Sequence, residues 1–188
     1  MSEGALGPLV LVVGPSGAGK DSLIEGARRL LAGDPKVHFA RRVITRPAIG
    51  EEHDTLSPRQ FDEAERAGAF ILSWRAHGLA YGIPASVQAR RRKGTIAVAN
   101  VSRSVVDRAR RELQPVRVVA VTAPVDILVD RLERRGRESP GEVLERLPQA
   151  EIALPRGPDV TLLVNDGPLE RAVAAFLEAL RRVRDQAI

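Results

Sequence analysis

The sequence predicts a doubly wound α/β fold, a parallel five-stranded sheet flanked by helices, and three observations lead there. Short apolar runs alternate with segments whose apolar residues recur at helical spacing. A glycine-rich loop joins the first such strand to the first such helix. The chain has 188 residues at 44% apolar composition, enough for one core of ordinary size and too little for two.

The elements follow in order. Leu9, Val10, Leu11, Val12 and Val13 form an unbroken apolar run, as in a parallel strand buried on both faces. After the glycine loop, Leu23, Ile24, Ala27, Leu30 and Leu31 keep helical spacing until Gly33, Asp34 and Pro35 stop the helix. Residues 37–40 read as a second strand. Ser57, Pro58 and Gln60 have the residue types of a capping box with proline in the first turn, opening a short helix through about residue 67. Phe70, Trp74 and Gly82 bracket a hairpin, and a basic helix follows and ends at Gly94. Residues 95–99 and 116–121 are further buried strands, with a helix over 104–113 between them. Pro124 opens a helix through residue 135, and Ser139 with Glu142 forms another capping box. A last strand at 160–164 precedes a helix over 168–184. One domain, 1–188, is expected, with its core at 8–40 and 95–188 and an insertion at about 41–92.

Composition narrows the function. The net charge is +5, and only three of the 29 basic residues are lysine. A cationic surface suits anionic partners: nucleic acid, anionic lipid or phosphorylated small molecules. Without cysteine there is no disulfide, no thiolate metal site and no cysteine nucleophile. Aromatics are 3%, with one tryptophan and one tyrosine, too few for single-strand stacking platforms, so no specific nucleic-acid partner is expected. The apolar run at 8–13 is far shorter than a membrane span and no basic cluster precedes it, which reads as cytoplasmic and without a membrane partner. The pattern specifies no oligomeric state.

The strongest chemical signal is the loop Gly14, Pro15, Ser16, Gly17, Ala18, Gly19, Lys20. Its glycines let backbone N–H groups converge on a phosphate, the following helix presents its positive end, and the lysine ammonium reaches the outer phosphate oxygens. The position after the lysine is ordinarily a hydroxyl that binds Mg²⁺; here it is Asp21, with Ser22 next. Asp21 is either a metal ligand, as hard oxygen donors suit that ion, or a first-turn carboxylate favoured by the helix dipole. A second group is the run Arg131, Arg134, Arg135 and Arg137 around Gly136, with Arg146 about two helical turns beyond Ser139. Taken alone, arginines at a helix end are a solvated face; beside a phosphate loop they suit a lid, at about 134–146, that neutralises charge in a phosphoryl transfer. A third group is Arg42, Arg46, Glu51 and His53, with Ser73, His77 and Tyr81 further on, suited to a phosphate-bearing acceptor. Arg90, Arg91, Arg92 and Lys93 read as a solvated helix end.

These motifs resemble the guanylate kinase family in order and over nearly the whole chain: the loop from Gly14 to Ser22, Thr45-Arg46-Pro47, Gly50-Glu51, the hairpin ending at Gly82, Arg135-Gly136-Arg137, and Asn165-Asp166-Gly167. Within that superfamily the Gly-Lys-Asp-Ser loop and the Ser73-Trp74 pair are most similar to the ribose 1,5-bisphosphate phosphokinases. Three departures from guanylate kinases point the same way: a shortened stretch after Glu51, Ser73 where a guanine-binding glutamate is expected, and Asn100 where an aspartate pair is expected. Losing a carboxylate that pairs with a base changes specificity by orders of magnitude. The resemblance implies ATP and Mg²⁺ as cofactors, Asn165 near the adenine, and transfer of a phosphoryl group to ribose 1,5-bisphosphate, giving 5-phosphoribosyl 1-diphosphate in phosphonate breakdown. The alternatives are a guanylate or other small-molecule kinase and a non-catalytic binding module of the same fold.

Overall fold

The computed structural model describes residues 5–47, 53–135 and 154–186. The chain runs through β1 (Leu9–Val13), α1 (Lys20–Leu30), β2 (Val37–Phe39), β3 (Arg42–Ile44), β4 (His53–Thr55), α2 (Pro58–Arg66), β5 (Phe70–Ala76) and β6 (Leu79–Pro84). It continues through α3 (Ser86–Arg91), β7 (Ile96–Asn100), a 3₁₀ turn, α4 (Val106–Glu112), β8 (Val116–Thr122), α5 (Val125–Arg135), β9 (Val160–Val164) and α6 (Leu169–Asp185).

β1 lies at the centre of a five-stranded, all-parallel sheet ordered β2-β7-β1-β8-β9. Successive side chains of a strand point to opposite faces, so β1 feeds two cores. Leu9, Leu11 and Val13 pack with Ala97, Ala99, Val118 and Ala120 under α4 and under Leu72, Trp74 and Ile83 of the β5–β6 hairpin. Val10 and Val12 pack with Val98, Val119 and Val121 under Leu23 and Ala27 of α1, Leu128 of α5 and Phe176 of α6. Burial on both faces is why the strand reads as a continuous apolar run.

Residues 42–84 build a second sheet, ordered β4-β3-β6-β5, in which β6 is antiparallel to β3 and β5 while β3 and β4 run parallel. Its own small core is Val43, Phe61 and Ala80, with Phe61 of α2 stacked on Phe70 at 4.7 Å between centroids. α2 opens as its residues predict: Ser57 Oγ accepts from Gln60 N and the Gln60 side chain accepts from Ser57 N. β3 and β4 are strands that the sequence pattern did not announce. Each has three residues, too few to show an alternation.

The basic run after β6 needs correction. Arg90 and Arg92 are exposed, as expected, but Arg91 is fully buried. Its guanidinium donates to the carbonyls of Gly7 at 2.8 Å, Leu113 at 2.7 Å and Pro115 at 3.2 Å, and to Gln88 Oε1 at 2.9 Å. Burial pushes its pKa down, and the four acceptors are what make a buried cation tolerable. Among the described residues no helix is long and apolar enough to cross a membrane.

Candidate active site

Parallel α/β sheets place ligands beyond the carboxyl ends of their strands, and the loop of residues 14–19 leaves the carboxyl end of the central strand. Gly14 has φ 150°, and a Cβ there would lie 2.0 Å from the Val121 carbonyl oxygen, so only glycine passes between β1 and β8. Gly19 has φ 86°, and its Cβ would lie 2.4 Å from Asn165 Nδ2. Gly19 also caps α1 without any side-chain hydrogen bond, which leaves the N–H groups of the first turn available to an anion. Lys20 Nζ donates to the carbonyls of Gly14 at 2.9 Å and Pro15 at 2.8 Å, so its ammonium is held over the loop.

Two cavities border the loop. One, of about 290 Å³, lies between the loop and the second sheet and is lined by Ser16, Lys20, Asp21, Arg42, Arg46, His77, Tyr81 and Asn100 among others. The other, of about 320 Å³, is lined by Gly17, Gly19, Ser22, Arg131, Arg134 and Asn165. Asn165 is 3% exposed; its Nδ2 donates to the Ala18 carbonyl at 2.9 Å while its Oδ1 is buried without a hydrogen-bond partner among the described residues. Pro15 and Ala18 are buried and serve the loop through its backbone.

The second sheet delivers four of the residues singled out for the acceptor. Arg42 donates Nη2 to Asp21 Oδ1 at 3.1 Å. Arg46 follows β3, and its carbonyl accepts from His53 Nε2 at 3.2 Å and Thr55 Oγ1 at 3.0 Å. Tyr81 stacks nearly parallel on Trp74, its cross-strand partner, at 5.3 Å, which sets its ring. His77 occupies, with Gly78, a two-residue hairpin turn in which both have positive φ, 51° and 71°, a conformation histidine enters more readily than most residues. Two residues stand elsewhere. His53 is 2% exposed beneath the Arg46 carbonyl, outside the cavity lining. Ser73 hydrogen-bonds Glu65 of α2 and helps hold that carboxyl below its ordinary pKa, after the larger effect of the Arg75 hydrogen bond. Arg135 closes α5; Glu51, Arg137 and Arg146 lie outside the described residues.

Three lining residues were noted in the sequence but not placed at the site. Arg131 and Arg134 sit three apart on α5 and face the second cavity, with Arg131 Nη1 at 3.5 Å from the Gly17 carbonyl. Their helical spacing was the available signal. Asn100 donates Nδ2 to Asp21 Oδ1 at 2.7 Å across 79 positions of sequence, and no local pattern signals such a pair.

Cationic groups on both sides of a phosphate loop can hold two anionic reactants against their repulsion, and with that geometry the relatives become informative. Guanylate kinase from Anaplasma phagocytophilum superimposes with a TM-score of 0.69 at 18% identity, covering 96% of this chain and 88% of that one. Fold and loop together define a phosphate-loop protein of the guanylate kinase fold. No protein-family model matches. Sequence relatives are far more similar: ribose 1,5-bisphosphate phosphokinase PhnN of Agrobacterium fabrum is 44% identical over 176 residues, 93% of this chain and 96% of the relative. The enzyme of the same name from Acidiphilium cryptum is 49% identical over 180 residues, 95% of each chain. A bifunctional ribose 1,5-bisphosphokinase-thymidine phosphorylase of Cupriavidus pinatubonensis is 46% identical over 177 residues, which are 93% of this chain and 29% of that longer protein. The chain belongs to the ribose 1,5-bisphosphate phosphokinase family and is a kinase.

Proposed function

We propose that this kinase transfers the γ-phosphoryl group of ATP to the 1-phosphate of ribose 1,5-bisphosphate, giving 5-phosphoribosyl 1-diphosphate and ADP within phosphonate breakdown. The observation that carries the reading is the cleft in which Lys20, Arg42, Arg46 and Tyr81 converge, together with the family of the chain. An acceptor phosphate oxygen attacks the γ-phosphorus and the bond to the β–γ bridging oxygen breaks. A phosphate with a second pKa of about 6 is largely dianionic near neutrality, so no general base is required. Catalysis is then positioning and charge neutralisation.

The nucleotide lies across the loop, its adenine toward Asn165, whose buried Oδ1 lacks a partner among the described residues, and Arg131 and Arg134 flank it from α5. The loop N–H groups and Lys20 hold the β- and γ-phosphates. Arg135, Arg137 and Arg146 supply positive charge to the group in transfer. Arg42, Arg46 and Tyr81 hold the acceptor, with His77 and Glu51 at the cleft edge. Ser73 and His53 act through neighbours, by tying α2 to β5 and by holding the Arg46 backbone.

Asp21 and Ser22 fit Mg²⁺: both offer hard oxygen, and neither hydrogen bond to Asp21 uses its Oδ2. Among the described residues no three His, Cys, Asp or Glu side chains gather into a fuller site, which suits an ion that keeps several waters and substrate phosphates as ligands. When bound, the ion neutralises phosphate charge. The test is an acceptor panel with ATP and Mg²⁺, read by coupled ADP release. Ribose 1,5-bisphosphate is expected to exceed GMP by at least about 100-fold in kcat/KM, because Ser73 stands where a guanine-binding glutamate is expected. Preference for GMP would overturn the assignment.

A further inference from the structure

Asn100 is the last residue of β7, 6% exposed, and lies in register with Val12 of β1, two positions before the phosphate loop. Its Nδ2 donates to Asp21 Oδ1 at 2.7 Å, and Arg42 Nη2 donates to that same oxygen at 3.1 Å. A single carboxylate oxygen thus ties the central sheet, the head of α1 and the second sheet. The three side chains stand where the 290 Å³ cleft meets a neighbouring cavity of about 390 Å³, since they line both.

The arrangement is asymmetric. The Asp21 side chain is 53% exposed and Arg42 only 17%. An exposed surface ion pair is weak and has many geometries; a donor fixed in the sheet removes that freedom from the carboxylate. With Asp21 oriented, Arg42 has one nitrogen engaged and four other N–H bonds of its planar fork to present. The donor cannot be a carboxylate. A carboxylate at position 100 would face the Asp21 carboxylate at hydrogen-bond distance, and like charges that close cannot both stay ionised.

We propose that Asn100 is a positioning residue for the acceptor: it orients Asp21, which holds Arg42 against the cleft so that the guanidinium meets an anionic group of the phosphorylated substrate. The inference rests on the reading that this cleft takes the acceptor.

The experiment compares Asn100→Asp, Asp21→Asn and the exchange variant carrying both, with acceptor KM, ATP KM, kcat and Tm measured. Asn100→Asp is expected to raise acceptor KM about tenfold, the cost of one lost charge-assisted hydrogen bond, with ATP KM within about twofold. The exchange variant recovers acceptor KM, since an amide at 21 and a carboxylate at 100 rebuild one donor and one acceptor, while its kcat and ATP KM are compared with Asp21→Asn alone, because both variants lack the carboxylate offered to Mg²⁺. An unchanged acceptor KM in Asn100→Asp overturns the proposal, as does an exchange variant no better than the single variants combined. A parallel loss for ATP and acceptor with a lowered Tm would show that Asn100 is merely structural. The acceptor used is whichever compound the panel shows to be turned over. If that is not ribose 1,5-bisphosphate, the substrate reading fails while the KM of the true acceptor still decides the role of Asn100.

Discussion

Lys20 and Asp21 are adjacent, opposite in charge, and turned to different sides of the same helix start. Lys20 closes over the loop through the Gly14 and Pro15 carbonyls, while Asp21 reaches across to Arg42 and Asn100. In the proposed mechanism a phosphate takes the place of these carbonyls as a partner of Lys20, so its proposed contribution is to transfer rather than to folding. Lys20→Ala is expected to lower kcat by at least about 100-fold, the scale of losing one charged donor to the transferring group, with Tm within about 2 °C of wild type. Rate measurements with a thermal melt check both halves; a wild-type rate would remove Lys20 from the mechanism. Lys20 was legible because strand, glycines and lysine are contiguous. Asn100 was not, because its partner is 79 positions away.

At the scale of elements, the second sheet is joined to its helix by charge as well as by packing. Arg75 of β5 donates to Asp62 Oδ1 at 2.9 Å and to Glu65 Oε2 at 2.7 Å, and lies over the Phe61 ring at 5.8 Å. The Arg75 and Ser73 hydrogen bonds hold the Glu65 carboxyl below its ordinary value near 4.5. A carboxyl depressed in the folded state adds stability above its unfolded pKa and loses it as pH falls through the folded one. Arg75→Ala is therefore expected to cost about 0.5–1 kcal/mol at neutral pH, the range of surface ion pairs, and the difference from wild type should shrink below about pH 4. Urea titrations across pH read this directly; a difference that persists in acid would assign the loss to Phe61 packing instead. The α2 cap was readable from Ser57 and Gln60 because its donors and acceptors are three residues apart. β3 and β4 were not, because three-residue strands exist by virtue of their partners.

Over the whole molecule, Arg91 joins parts that no local pattern joins. Its donors hold Gly7 before β1, Leu113 after α4 and Pro115 before β8. Arg91→Met keeps the apolar stem and leaves the Gly7 and Leu113 carbonyls without this donor, while the Pro115 carbonyl keeps the Leu9 N–H at 2.9 Å, and each buried group left unmade costs ~1–3 kcal/mol. A loss of at least about 3 kcal/mol is expected in urea unfolding, against less than about 0.5 kcal/mol for the exposed Arg90→Met. Equal effects of the two variants would deny Arg91 this role. Arginines of identical type serve as surface, as clamp and as interior tie according to what surrounds them.

By itself the sequence determined the parallel five-stranded sheet, the phosphate loop and the kinase class, because strand burial, helical spacing and the glycine–lysine loop are encoded in neighbouring residues. Only the tertiary structure decided that Arg91 is interior, that His53 and Ser73 stand outside the cleft lining, and that Asn100, Asp21 and Arg42 share one oxygen. Those outcomes depend on which distant segments the sheet order brings together. The free energy of a charged or polar side chain is set by the partners it finds there.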